Sequence, residues 1–161
     1  MRNDSVYKYS DGRDFRGQVS DKFGKFEKYG TGVLTFPNRD KYEGEFVRDV
    51  FHGQGVYTYA NGDIYRGSFS SGLKSGKGKF LFASGYSYEG DYSEDAAVGN
   101  GTLSNGGVNG WRYTGEMQKY KRHGTGVCRF RNGDLYEGAF VDDMMHGAGM
   151  FDSFLFLYSC F

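Results

Sequence analysis

The chain has 161 residues, with 20 Lys and Arg balanced by 20 Asp and Glu, 27 Gly, one Pro and two isolated Cys, Cys128 and Cys160. That much glycine with so little proline excludes collagen and Pro-rich disorder, and lone cysteines exclude a disulfide framework and a Cys-based zinc site. Leu, Ile, Val and Phe make up only about a fifth of the chain, so the core must come from 14 Tyr, 15 Phe and one Trp, each burying roughly 150–250 Å².

The N-terminal residues carry no apolar run, which predicts no secretory signal and a cytoplasmic location. Residues 1–14 read as a partial repeat, with a strand near Val6–Ser10 and a turn at Gly12. Then aromatic-x-Gly recurs six times, led by Phe15, Tyr42, Tyr65, Tyr88, Tyr113 and Tyr136 at steps of 27, 23, 23, 25 and 23 residues. A Gly-x-Gly usually follows eleven residues after the aromatic. A fixed period of this length predicts a stacked-repeat array over residues 1–152 rather than separate domains.

The clearest unit is Tyr42-Glu43-Gly44-Glu45-Phe46, then His52-Gly53-Gln54-Gly55, then Asn61-Gly62-Asp63. Alternation places Tyr42, Gly44 and Phe46 on one strand face, with Glu43 and Glu45 on the other. Gly53, Gly55, Tyr57 and Tyr59 share one parity in the next strand. Asn61-Gly62 marks a tight hairpin turn, and Phe51-His52 with the residues before it mark the other. The recurring glycines fall on the aromatic side, where a ring can lie flat over a neighbouring strand only if no Cβ intervenes. The expected fold is all-β: an elongated, single-layer antiparallel meander of stacked hairpins. Twelve strands plus one, spaced about 4.8 Å apart, would make a ribbon roughly 60 Å long.

Irregularities follow in chain order. The first repeat holds four extra residues among Ser20–Tyr29, and Arg39 stands where other repeats have a turn glycine, predicting a different turn there. The fourth repeat has Val98 in the His column and an enlarged turn at Ser104–Gly110, followed by Trp111 as a binding anchor or as packing against Tyr113 or Tyr88. Ser153–Phe161 is an apolar, uncharged tail read as an end cap, a self-association segment or an altered end.

Repeat by repeat the charge runs +3, −3, +4, −3, +3, −4. Neighbouring repeats should attract, and no continuous basic surface for nucleic acid arises. Local basic clusters, Lys74, Lys77 and Lys79, then Lys119, Lys121 and Arg122, are possible anionic-lipid contacts, each weak alone at about 1 kcal/mol per residue. Gly72-Leu73-Lys74-Ser75-Gly76-Lys77-Gly78 is one residue short of a phosphate loop and lacks its magnesium-binding Ser or Thr. His52, His123 and His146 occupy one repeat column, with His123 and His146 about 10 Å apart, too far to share a zinc ion. Catalytic, metal and cofactor sites are therefore expected to be absent.

Taken together, Tyr-x-Gly-x-Phe, His-Gly-x-Gly and Asn-Gly-Asp in six phased copies across residues 7 to 152 resemble the MORN (membrane occupation and recognition nexus) repeat. The resemblance implies a non-enzymatic scaffold for protein–protein interaction, in a cytoskeletal or ciliary and flagellar axonemal assembly, with end-to-end self-association through the C-terminal edge. The expected partner groove is lined by Tyr42, Phe46, Tyr65, Phe69, Tyr88, Tyr92, Tyr113, Tyr136 and Phe140. Two alternatives stay open: a peripheral module binding phosphoinositides, and an accessory segment of a larger enzyme.

Overall fold

The computed structural model describes residues 2–21, 26–107 and 110–153. It divides into two compact units, Met1–Ala83 and Ser84–Phe161. The first contains β1 (Arg2–Lys8), β2 (Asp14–Ser20), β3 (Glu27–Thr35), β4 (Lys41–Val47), β5 (Val50–Thr58), β6 (Ile64–Ser70) and β7 (Leu73–Leu81). The second contains β8 (Tyr86–Ser93), β9 (Ala96–Asn105), β10 (Trp111–Gln118), β11 (Lys121–Phe130), β12 (Leu135–Val141) and β13 (Met144–Asp152). Within each unit every strand pairs antiparallel with its neighbours in sequence. No helix occurs among the described residues. The fold is an all-β meander. Its first strand lies earlier than the expected Val6–Ser10, because Tyr9 opens a turn in which its N–H donates to the Arg13 carbonyl.

Ring-over-glycine packing supplies the core. Gly44 and Gly55 are direct partners on β4 and β5, and Tyr42 lies across both. A Cβ on Gly55 would stand 2.6 Å from the Tyr42 hydroxyl oxygen and 2.7 Å from its ring. Phe15, Tyr65, Tyr88, Tyr113 and Tyr136 cover their own glycine pairs in the same way. The tyrosine hydroxyl adds a bond that strand alternation does not reveal. Tyr42 donates to the carbonyls of Glu45, at 2.9 Å, and His52, at 3.3 Å, just where the register shifts by a bulge. Tyr65, Tyr88, Tyr113 and Tyr136 likewise donate three residues ahead, to Ser68, Asp91, Glu116 and Ala139.

The glycines split into two roles where one was expected. The second glycine of each Gly-x-Gly seats a ring. The first is the bulge residue: Gly53 and Gly124 both have φ of 57°, and acidic side chains occupy the space beside them. Glu45 accepts the Gln54 N–H at 2.7 Å, and Glu116 accepts both the N–H and the hydroxyl of Thr125. Those two bonds hold the Glu116 carboxyl below its ordinary pKa. Its contribution to stability is therefore present above the unfolded value and lost as pH falls through the lower folded one.

The turns also differ from the sequence reading. Phe51 and His52 lie inside β5, and the tight turn is Arg48-Asp49, with φ of 49° and 69°. Ser71-Gly72, Glu94-Asp95, Lys119-Tyr120 and Asp142-Asp143 repeat that doubly positive geometry, which matches strand twist. At Asn61-Gly62-Asp63 only Gly62 is left-handed, with φ of 92°, and the Tyr59 N–H closes the loop on the Asp63 carbonyl. This is a three-residue loop ending in a glycine bulge. Arg39 turns out to make the same loop despite its Cβ. Its φ is 74°, and the Phe36 N–H still donates to the Asp40 carbonyl. A left-handed non-glycine residue costs roughly 1–2 kcal/mol, so Arg39→Gly is expected to raise stability by about 1 kcal/mol, seen as a higher Tm in a thermal melt.

The alternating charge has contacts behind it. Lys28, in a positive repeat, is 6 % exposed and pairs with Asp49 in the next, negative one at 2.7 Å. Arg122 and Lys121 pair with Asp143 and Asp142 in the same sense. The backbone joins in: Asp49 N–H donates to the Lys28 carbonyl, and Asp143 N–H to that of Arg122. The turn of one repeat is thus locked to the strand of the repeat before it. The irregular stretch among Ser20–Tyr29 is shorter than expected, since Glu27, Lys28 and Tyr29 belong to β3; residues 22–25 lie outside the described ones.

Candidate partner-binding face

The aromatic side of each unit has a floor and an upper layer. The floor is fully packed: Tyr42, Tyr65, Tyr88 and Tyr113 are 0 % exposed and Phe46, Phe69, Tyr92, Tyr136 and Phe140 no more than 7 %. Tyr42, Tyr65, Tyr88 and Tyr136 each meet the Phe or Tyr four residues on edge to face, as Tyr42 does Phe46 at 5.1 Å, while Phe15 and Tyr113 have Val19 and Met117 at that position. Phe15, Tyr42, Tyr88 and Tyr113 also meet an aromatic ring of the following repeat, Phe69 over Tyr42 at 5.1 Å and Phe140 over Tyr113 at 4.9 Å. Burial pushes the phenols of Tyr42, Tyr88 and Tyr113 up to about 12.

Above the floor, the first unit carries a ladder of rings: Phe36 to Tyr57 at 6.1 Å, Tyr57 to Tyr59 at 4.5 Å, Tyr59 to Phe80 at 5.7 Å and Phe80 to Phe82 at 4.5 Å. All but Phe80 are half-buried. Phe51 stacks flat on Tyr42 with centroids 3.8 Å apart. In the second unit the corresponding surface holds Trp111, Tyr120 and Phe130, half-buried, and the more open Tyr86 and Phe151. Where Ala97 leaves room, Tyr120 reaches in from its turn, donating to the Asp95 carbonyl and meeting Tyr88 and Tyr92 at 6.0 Å.

Cations sit among these rings. Lys28 lies 5.2 Å from the Tyr9 ring and 5.7 Å from Phe15, and Lys74 donates to the Tyr59 hydroxyl at 3.1 Å. Arg122 lies over Trp111 at 4.7 Å and Phe140 at 5.3 Å. Each has cation–π geometry. The face therefore offers apolar rings with embedded positive charge and phenol hydroxyls.

The MORN repeat family model matches residues 42–64, 65–85, 88–108, 113–135 and 136–153. The chain belongs to the MORN repeat family. A comparison with curated proteins finds no match. Among solved structures, the SAS-4 (dCPAP) TCP domain from Drosophila melanogaster, in complex with a proline-rich motif of Ana2 (dSTIL), is similar over 93 % of this chain and 89 % of that one, at 15 % identity and a TM-score of 0.40. The matched MORN repeats begin at Tyr42. The earlier copy led by Phe15 still places its ring over Gly17 and Gly32, without a hydroxyl to bond its bulge.

The nine residues expected to line a groove are the floor of these MORN repeats. Their parity matches the face, but all nine are buried, and Tyr42, Tyr65, Tyr88, Tyr113 and Tyr136 lie down on glycine pairs, so the ring surface that solvent reaches belongs to the upper layer. That layer is written in the sequence as the aromatic pairs after Gly-x-Gly, Tyr57 with Tyr59 and Phe80 with Phe82. Within neither unit do the three basic residues share one surface. Lys74 and Arg122 lie on the aromatic face, Lys77 and Lys79 are exposed with the opposite parity to Lys74's partner Phe69, and Lys119 is in a turn. Trp111 meets Tyr86 at 6.2 Å rather than Tyr113 or Tyr88. The histidines contribute backbone: the carbonyls of His52 and His123 accept the tyrosine hydroxyls.

Three tyrosines raised to about 12 give a test of the packing. A folded value above the unfolded one means full stability below pH 10 and progressive loss between pH 10 and about 12. Phenolate absorbance is expected to rise together with loss of β-sheet circular dichroism in that window, not before it.

Proposed function

We propose that the chain is a non-catalytic repeat scaffold whose upper aromatic layer binds a segment of a protein partner, in a cytoskeletal, ciliary or flagellar axonemal assembly. MORN repeats form a non-catalytic module for protein or membrane interaction. The observation that carries the protein reading is the ladder of rings from Phe36 to Phe82, all but Phe80 half-buried. Such rings are amphipathic anchors of the kind enriched at binding hot spots. The test is affinity purification of tagged full-length chain from its native cell, with wild type beside Tyr59→Ser and Trp111→Ser. A partner retained by wild type and lost from a folded variant supports the reading; an unchanged partner set from both variants overturns it.

A second copy of the chain is a further partner under this reading, because Met144, Met150 and Phe151 of β13 are 68 %, 73 % and 56 % exposed. An open, apolar edge strand is a template for pairing. Sedimentation velocity of wild type against Met150→Lys distinguishes a dimer through this edge from a monomer.

A further inference from the structure

The non-aromatic face of the second unit holds a charge arrangement that the fold does not use. Arg112 of β10 and Arg129 of β11 stand directly opposite each other, and both are exposed. β10 and β11 are each paired on both sides, so neither backbone can slide to separate them. Like charges directly opposite destabilise a sheet, yet neither guanidinium forms a hydrogen bond or ion pair with any described residue. Nearby cations are occupied: Lys121 with Asp142, Arg122 with Asp143, and Arg131 with the Gly107 carbonyl.

Hydroxyl groups border the pair. Ser104 is the neighbour of Arg112 on β9, and Thr114 lies two residues along β10 on the same face. Ser87 and Thr102 extend these rows, with oxygen–oxygen distances of 2.8 Å for Ser87 and Ser104 and 3.4 Å for Thr102 and Thr114. One guanidinium suffices for a carboxylate in a bidentate bond. Two guanidinia whose Cβ atoms are about 5 Å apart call for more charge and more acceptors, which a phosphate monoester supplies with about −1.5 to −2 charge and three oxygens.

We propose that Arg112 and Arg129, with the hydroxyls of Ser104 and Thr114, bind a phosphorylated Ser or Thr side chain of a protein segment lying across this face. The surroundings decide between that and a membrane. Residues 84–161 carry six Lys and Arg against ten Asp and Glu, a net charge of −4, and Glu89, Glu116 and Glu137 are exposed. A bilayer presents negative charge over its whole area and meets that acidic field. A single dianion touches the arginines alone. This surface is separate from the aromatic layer, so the proposal stands or falls independently of the groove reading.

The experiment uses full-length chain on an immobilised degenerate peptide library with a fixed central phosphoserine, beside the same library unphosphorylated and vesicles containing phosphatidylinositol 4,5-bisphosphate. The phosphorylated library is expected to retain the protein at least tenfold better. Arg112→Gln with Arg129→Gln should bring retention down to the unphosphorylated level while Tm stays the same or rises, because the repulsion is gone. Arg112→Lys with Arg129→Lys keeps the charge but loses the fork and should bind in between. The proposal is overturned by equal retention on both libraries, by a phosphate preference that survives the glutamine variant, or by vesicle binding through the pair without peptide binding.

Discussion

Gly44→Ala is expected to destabilise the protein by about 3–5 kcal/mol, and Gly106→Ala to have no measurable effect. The backbone of Gly44 is not left-handed, so the cost is one of space alone. An added Cβ would stand 2.6 Å from the Gln54 carbonyl oxygen, from Gly55 Cα and from the Tyr42 hydroxyl. Two of those three are backbone atoms fixed by the β4–β5 ladder, so the strands must separate or the ring must leave its seat. Overpacking alone costs roughly 1–3 kcal/mol, and dislodging a fully buried aromatic approaches the 3–5 kcal/mol of its truncation. Since small proteins are stable by only about 5–15 kcal/mol, one methyl group consumes much of the margin. Gly106 has nothing within 4 Å of its would-be Cβ and is the matched control. Chemical denaturation gives the magnitudes, and hydrogen exchange should show protection lost first in β4 and β5, because repeats depend mainly on their neighbours. Equal midpoints for the two variants would show that the ring does not need the bare glycine.

The strand faces were legible because two local signals coincide: aromatic and charged residues alternate, and glycine recurs at fixed phase. Parity, however, fixes a face and not a height above it. Tyr42 and Tyr57 are opposite each other on the same face, yet one is 0 % exposed and the other half-buried. The difference comes from the ring direction: Tyr42 lies along its own strand to reach the Glu45 carbonyl, whereas the Tyr57 hydroxyl donates to Asp40. Those acceptors lie at a bulge and a turn, which no periodicity announces. The tight turns were hidden for a related reason. Arg48-Asp49 has neither glycine nor asparagine, and its doubly positive φ is imposed by the two-residue link between twisted strands. The Asp49 carboxylate then bonds the N–H and ammonium of Lys28, 21 residues earlier, which is a tertiary contact and not a local propensity. Net charge per repeat did disclose that neighbours attract, though not that the attraction runs from strand to following turn.

Tyr65→Ala is expected to cost about 3–5 kcal/mol and to abolish every interaction of the first unit's aromatic face, while Tyr59→Ala costs about 1 kcal/mol and removes only partner binding. Tyr65 is 0 % exposed, covers Gly67 and Gly78, meets Phe69 edge-on at 5.1 Å and donates to the Ser68 carbonyl at 3.0 Å. Its truncation leaves two bare glycines facing a void and an unpaired carbonyl at the bulge. Tyr65→Phe isolates the last of these and should cost about 1 kcal/mol, the net worth of a typical hydrogen bond. Tyr59 touches Tyr57 at 4.5 Å and Phe80 at 5.7 Å, but its ring is half in solvent, so the fold tolerates its removal. If the upper layer anchors a partner, that same removal should weaken binding by about 2 kcal/mol or more, some thirtyfold in Kd. Binding and melting measured on the same samples separate the two roles: loss of binding in Tyr65→Ala alone, with Tyr59→Ala still binding at full strength, would confine the aromatics to holding the sheet together and send the search for the partner surface elsewhere.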